Sequence, residues 1–279
     1  MAVKQVFAQG DFLAPSSLDL KYCVRFFQPL RLPKQIETLK KEIISLHNHE
    51  GHSADQWFSM MVTDCMASFG KRLAPDQLWT EAETKSLFAL GQQYAECVSV
   101  QPFEDVLGNI YQELASQYGK KLLGQYFTPA PVAQMLAKLQ HQPAIFERQA
   151  TVSASDPAVG SGVMLLQFLN VIAEDNPNHL ERVFIHGIDL DRVCVRIATL
   201  QVLANNFFHQ LNLRKLEMWH GNALDDPAKL QCYFSGATQG FLDAASQEQP
   251  ENPTPSPDPQ KNPKIRSKTN EDNGQMDLF

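Results

Sequence analysis

Between about Pro33 and Gln117, apolar residues recur at steps of three and four, the spacing of one helix face. Ile36, Leu39, Ile43, Ile44 and Leu46 make the first such stripe. Trp57, Met60, Met61 and Cys65 make the second, with Ser53 placed to cap its start. Thr80 and Glu83 have the spacing of a capping box ahead of Leu87, Leu90 and Tyr94. A further helix is expected from Phe103 through Val106, Leu107, Ile110, Tyr111 and Leu114. Residues 1–33 show little periodicity, although Tyr22-Cys23-Val24-Arg25-Phe26-Phe27 reads as a short strand or an apolar arm.

From Thr128 the pattern changes to alternating helix and strand. Thr128-Pro129 predicts a helix start, with the hydroxyl as N-cap and proline at the first helical position, where no N–H is needed. Val132, Met135, Leu136 and Leu139 then give one apolar face. Strands are expected at 151–155, 183–188 and 216–220, with helices at 161–172 and 192–206 between them. Such alternation implies right-handed βαβ units and a parallel sheet. Only Gln231–Ser235 offers a fourth strand. Residues 246–275 are rich in Pro, Gln, Asn, Ser and charge, and bury too little apolar surface to order; a disordered tail is expected there.

Composition adds limits. Of 279 residues 43% are hydrophobic and 20% charged, ordinary values for a soluble globular protein. No apolar run is long enough to span a bilayer, and residues 1–10 lack the basic and apolar stretches of a secretory signal. The five cysteines are scattered with no CxxC pair, which suits reduced thiols in the cytoplasm. A net charge of −7 does not suit strong DNA binding by this chain alone, because cationic side chains supply most non-specific affinity for phosphates.

The chemistry concentrates at the expected strand ends. Asp156-Pro157-Ala158-Val159-Gly160-Ser161-Gly162 lies between a strand and a helix, where glycines let backbone turn sharply and approach a ligand. The alternative, an ordinary βα turn, rarely needs Asp-Pro, two glycines and a serine together. Asp189 closes the second strand, and a carboxylate there can accept bonds from two ribose hydroxyls. Asp191 competes for that role; its other reading is an N-cap of the next helix, and Asp189 is preferred. Gly221-Asn222-Ala223-Leu224 follows the third strand, either as a ligand contact or as a turn.

Together with Gly124-Gln125-Tyr126-Phe127-Thr128-Pro129, these motifs resemble the S-adenosylmethionine (SAM) half of adenine-N6 DNA methyltransferases, notably the modification subunits of type I restriction systems. The resemblance covers about residues 103–225, including Val106–Tyr111. It implies an α/β fold: a mainly helical N-terminal domain at 1–120, a truncated Rossmann-like SAM-dependent methyltransferase domain with a parallel sheet at 121–245, and the tail at 246–279. It also implies cofactor contacts at Tyr126, Phe127, Thr128, Asp156, Pro157, Gly160, Ser161, Gly162, Asp189, Asn222 and Ala223. In that family the glycine loop wraps the methionine part, Asp156 faces its ammonium, and Asn222 accepts from the adenine amine. The family's Asn-Pro-Pro-Phe/Tyr motif, which holds the target base, is absent here. Asn252-Pro253 and Asn262-Pro263 are followed by Thr254 and Lys264. DNA methylation is therefore expected to need a second methyltransferase or specificity subunit. The alternatives are a non-enzymatic SAM-binding regulator or decoy and one part of a split methyltransferase.

Two other features complete the reading. His47, His49 and His52 lie in a polar turn and read as a solvated loop, with no metal site expected. Gln275-Met276-Asp277-Leu278-Phe279 resembles the peptide that docks on the bacterial sliding clamp, which makes the clamp an expected partner.

Overall fold

Capping chemistry sets the helical half of the molecule. The computed structural model describes residues 32–71, 78–117 and 127–237; Tyr22–Phe27, the 120/121 domain boundary and the tail lie outside them. Helix α1 spans Leu32–Ser45 and buries Leu39 and Ile43. Helix α2, Ala54–Ser68, follows Ser53, whose N–H donates to Gln56 Oε1 at 2.8 Å. Helix α3, Glu81–Val100, has the expected capping box: Thr80 N–H donates to Glu83 Oε2 at 2.7 Å, and Glu83 N–H donates to Thr80 Oγ1 at 3.2 Å. Helix α4 starts at Val106, not at Phe103. Phe103 sits at φ 64, and its N–H donates to Asn205 Oδ1 at 2.6 Å, so a long-range bond turns the chain before the helix begins.

Strands β1 (Val152–Asp156), β2 (Val183–Asp189) and β3 (Lys215–His220) are parallel, and β4 (Gln231–Ala237) joins the outer side of β3 antiparallel, in the order β1-β2-β3-β4. The register sets Asp156 beside Gly187 and Asp189 beside His220. Two crossovers stepping the same way place helices α7 (Val163–Asp175) and α8 (Arg192–Phe208) on one face. Val152, Val183, Ile185, Leu216 and Met218 are buried beneath them. The opposite face is more polar: Ser153 and Ser155 are exposed, and Ser155 Oγ lies 3.1 Å from His186 Nδ1. Helix α8 is buried along nearly its whole length, because α2, α3 and α4 pack on the side away from the sheet. The buried apolar residues of the helical half and of the sheet layer therefore form one cluster, from Leu39 to Tyr233.

One expectation at the start of this layer needs correction. Helix α5 is Ala130–Gln140, with Pro129 rather than Thr128 at the cap position and no side-chain cap bond. Its stripe of large apolar residues does not form the buried face. Met135 and Leu139 are 55% and 74% exposed, Val132 is exposed and Leu136 half-buried. Helix α5 packs on α7 through Ala133 and Ala137 instead. Small side chains let the two helices approach closely, and the larger residues are left on the outer side. Short helix α6, Ile145–Arg148, then leads into β1. No described helix is long and apolar enough to cross a membrane.

Candidate functional site

The loop after β1 is fastened to the ends of its neighbours. Asp156 Oδ1 accepts from Ala158 N–H at 3.0 Å, which makes a turn of the exposed Pro157-Ala158 pair. Val159 N–H donates to Ile188 O at 2.9 Å. Gly160, at φ 53, donates its N–H to Asp189 Oδ2 at 2.8 Å, while Asp189 Oδ1 accepts from Asp191 N–H at 2.8 Å. Asp191 Oδ1 accepts from Val193 N–H at 2.8 Å and caps α8, the second of the two roles weighed for it. Gly221 N–H donates to Asp189 O at 2.9 Å, which brings the turn after β3 alongside. There Asn222 Oδ1 accepts from Leu224 N–H at 3.0 Å, with Asn222 and Ala223 half-buried. Asp156, Gly160, Asp189 and Asn222 thus share the carboxyl edge of the sheet.

An aromatic stack covers this edge. The Phe127 ring lies against Gly160. It stacks on Tyr111 at 5.9 Å between centroids, and Tyr111 stacks on Phe58 at 6.0 Å. Tyr111 OH donates to Asp191 Oδ2 at 3.4 Å. Thr128, half-buried, continues from Phe127; Gln125 and Tyr126 lie outside the described residues.

Beneath the loop lies a buried polar network that sequence reading missed. Ser161, 1% exposed, donates its hydroxyl to Asp105 Oδ2 at 2.7 Å. Gln201 Nε2 donates to Asp105 Oδ1 at 2.7 Å and to Ser161 O at 2.8 Å. Gln201 Oε1 accepts from Leu107 N–H at 3.0 Å, and Gln167 Nε2 donates to Phe103 O at 3.0 Å. The Ser161 side chain therefore faces inward. Its carbonyl is taken by Gln201 as well, so neither the hydroxyl nor the carbonyl is left for the ligand contact expected of it; Gly162 is buried too, with its N–H donated to Val159 O at 2.8 Å. The available signal was a polar pair four residues apart, Gln201 and Asn205, inside the apolar α8.

The edge is electronegative. Burial, then the charge of Asp189, pushes the Asp156 carboxyl above the usual carboxylate range. Burial pushes Asp105 up as well, against the donors from Gln201, Ser161 and Gly108. Among the described residues no group of three or more His, Cys, Asp or Glu is arranged to hold a metal ion. In the His47–His52 turn, His52 Nε2 lies 2.6 Å from Glu83 Oε1, and His47 Nδ1 accepts from Ala54 N–H at 3.3 Å.

A glycine-bearing loop at the carboxyl ends of parallel strands, closed by an acid on the next strand, defines an α/β fold of the nucleotide-cofactor-binding class. Residues 103–240 match the family model described as N-6 DNA Methylase. Over 105 residues the chain is 26% identical to the methylase subunit of the type I restriction enzyme MpnII from Mycoplasma pneumoniae; the match covers 37% of this chain and 18% of that protein. Among solved structures, one similar chain is described as a class I S-adenosylmethionine-dependent methyltransferase from Listeria monocytogenes. It is 16% identical, with 70% of this chain and 54% of that one covered and a TM-score of 0.43. Another is a type I restriction-modification methyltransferase subunit from Streptococcus thermophilus. It is 15% identical, with 81% and 53% covered and a TM-score of 0.34. The chain spans under a fifth of the curated relative and about half of each solved one. Its resemblance is to the adenine-N6 DNA methyltransferase family, with type I restriction methylase subunits among the relatives.

Proposed function

We propose that this chain is a SAM-binding module of the adenine-N6 DNA methyltransferase type that methylates DNA together with a second subunit. The observation that carries the reading is the junction of Gly160 N–H with Asp189 Oδ2 at 2.8 Å under the Phe127 ring, which joins the glycine loop, the acid of the second strand and an aromatic cover. The residues fit the cofactor. A carboxylate offers about four acceptor positions, and Asp189 spends two on backbone N–H groups, leaving two for the ribose hydroxyls. Asp156 keeps Oδ2 for an ammonium group. Asn222 spends one lone pair on Leu224 and keeps the other for the adenine amine. The cofactor would supply a methyl group on a sulfonium, and the acidic edge suits that positive charge.

The sequence holds no Asn-Pro-Pro-aromatic motif with which to grip a flipped adenine. The reading therefore assigns base recognition and most DNA contact to the partner, consistent with a net charge of −7. Gln275–Phe279 is proposed as a docking peptide for the replication clamp. Calorimetry with SAM and S-adenosylhomocysteine tests the module; no heat at millimolar cofactor defeats it. Transfer of labelled methyl groups to mixed-sequence DNA tests the division of labour. None is expected from this chain alone, and transfer is expected when the subunit co-purified from its host is added. Binding without transfer in both cases would favour the non-enzymatic regulator.

A further inference from the structure

We propose that Asp105 is the positioning residue of the cofactor loop, holding residues 160–162 from beneath through the Ser161 hydroxyl and tying that loop to the start of α4. The inference rests on the SAM-binding reading for its ligand and on the buried network for its geometry.

Asp105 is 5% exposed, and none of the ion pairs among the described residues includes it. Its charge is met by three donors instead: Ser161 Oγ at 2.7 Å, Gln201 Nε2 at 2.7 Å and Gly108 N–H at 3.1 Å. An isolated buried carboxylate is costly, and one with two or three donors is held by them in a fixed orientation. Each donor belongs to a different part of the fold: the cofactor loop, the central helix α8 and the first turn of α4. The packing is equally specific. A Cβ at Gly108 would overlap both the Asp105 carboxylate and Ser161 Cβ, so α4 can approach the loop this closely only with glycine there. Gln201 closes the circuit by donating to Ser161 O at 2.8 Å and accepting from Leu107 N–H at 3.0 Å. Ser161 thus has its hydroxyl and its carbonyl fixed from below, while the preceding Gly160 N–H is fixed by Asp189 from the side. The loop's upper surface faces the proposed ligand, and its underside is set by Asp105 and Gln201, both buried.

The test uses Asp105→Asn, Ser161→Ala, the double variant, and Leu90→Ala as a control that removes buried volume from α3 and none of the hydrogen bonds to Asp105. S-adenosylhomocysteine binding is measured by calorimetry and ligand-free stability by denaturation. Asp105→Asn and Ser161→Ala are each expected to weaken binding about tenfold, the scale of one hydrogen bond to a charged group. The double variant is expected to bind no worse than Asp105→Asn, because both act through one contact. Leu90→Ala is expected to lose stability and keep its affinity. Wild-type affinity in a folded Asp105→Asn, additive losses in the double variant, or an equal loss in Leu90→Ala overturns the proposal. If Asp105→Asn does not fold, Ser161→Ala decides alone, and unchanged affinity overturns it. If the wild type binds neither SAM nor S-adenosylhomocysteine, the SAM reading fails separately. Hydrogen exchange at the Gly160 and Ser161 amides then decides: faster exchange in Ser161→Ala supports the positioning role, and unchanged exchange overturns it.

Discussion

The Phe127 ring sits against Gly160: a Cβ added there would lie 3.3 Å from two ring carbons. Phe127 precedes α5 and Gly160 precedes α7, and the packing of those two helices brings the residues side by side. Gly160 also sits at φ 53, where a side chain costs roughly 1–2 kcal/mol. Gly160→Ala should therefore lose about that much stability in urea denaturation and should bind S-adenosylhomocysteine more weakly. A variant with wild-type midpoint and affinity would refute the contact.

Asp189 and Asp191 separate two roles that look alike in sequence. Asp189→Ala removes the acceptor for Gly160 N–H and the proposed ribose contacts, so cofactor affinity should fall by roughly 1.5–3 kcal/mol. Asp191→Ala removes the cap of α8 and should cost about 1 kcal/mol of stability with little change in affinity. Calorimetry and denaturation on both variants give the comparison, and the reverse pattern would exchange their roles.

Helix α5 supplies a test of burial against pattern. Met135→Ser and Leu139→Ser lie on the exposed side and should change stability by less than about 0.5 kcal/mol. Ala133→Leu faces α7 and should cost about 1–3 kcal/mol by overpacking. Thermal melts that rank these variants the other way would place the helix the other way round.

His209 gives a pH dependence. Its Nε2 lies 2.8 Å from Val98 O, and burial, partly opposed by that bond, holds its pKa below the ordinary 6.5. Below about pH 6.5 the unfolded chain binds a proton that the folded chain does not. Stability present above that pH is therefore lost as pH falls from about 6.5 toward the folded value, by up to about 1.4 kcal/mol per pH unit. Denaturation midpoints measured from pH 7.5 to 5 should show the decline, and His209→Gln should reduce it.

The terminal peptide makes an independent prediction. Leu278→Ala with Phe279→Ala should abolish binding to immobilised sliding clamp, for which micromolar affinity, about −8 kcal/mol, is expected. SAM binding should not change. Equal null signals from the wild type and the variant would make the motif coincidental.

Local physics made much of this protein legible in its sequence. The capping box at Thr80 and Glu83, the helices that flank the strands, and the cap at Asp191 depend on neighbours a few residues away, so pattern alone finds them. The glycine loop and Asp189 were legible because a strand end that turns within a few residues needs particular residue types. Tertiary structure decided the rest. Which stripe of α5 is buried depends on what α7 presents to it, and Ala133 and Ala137 prevail because they let the helices approach. Phe103 leaves the helical pattern because Asn205, about a hundred residues away, holds its N–H. Asp105 is ordinary in sequence, and Ser161 read as a ligand residue. Only the close approach at Gly108, with Gln201 reaching across from α8, makes them one buried network. A buried polar group must find its partner wherever the fold provides one, and sequence spacing carries no record of that distance.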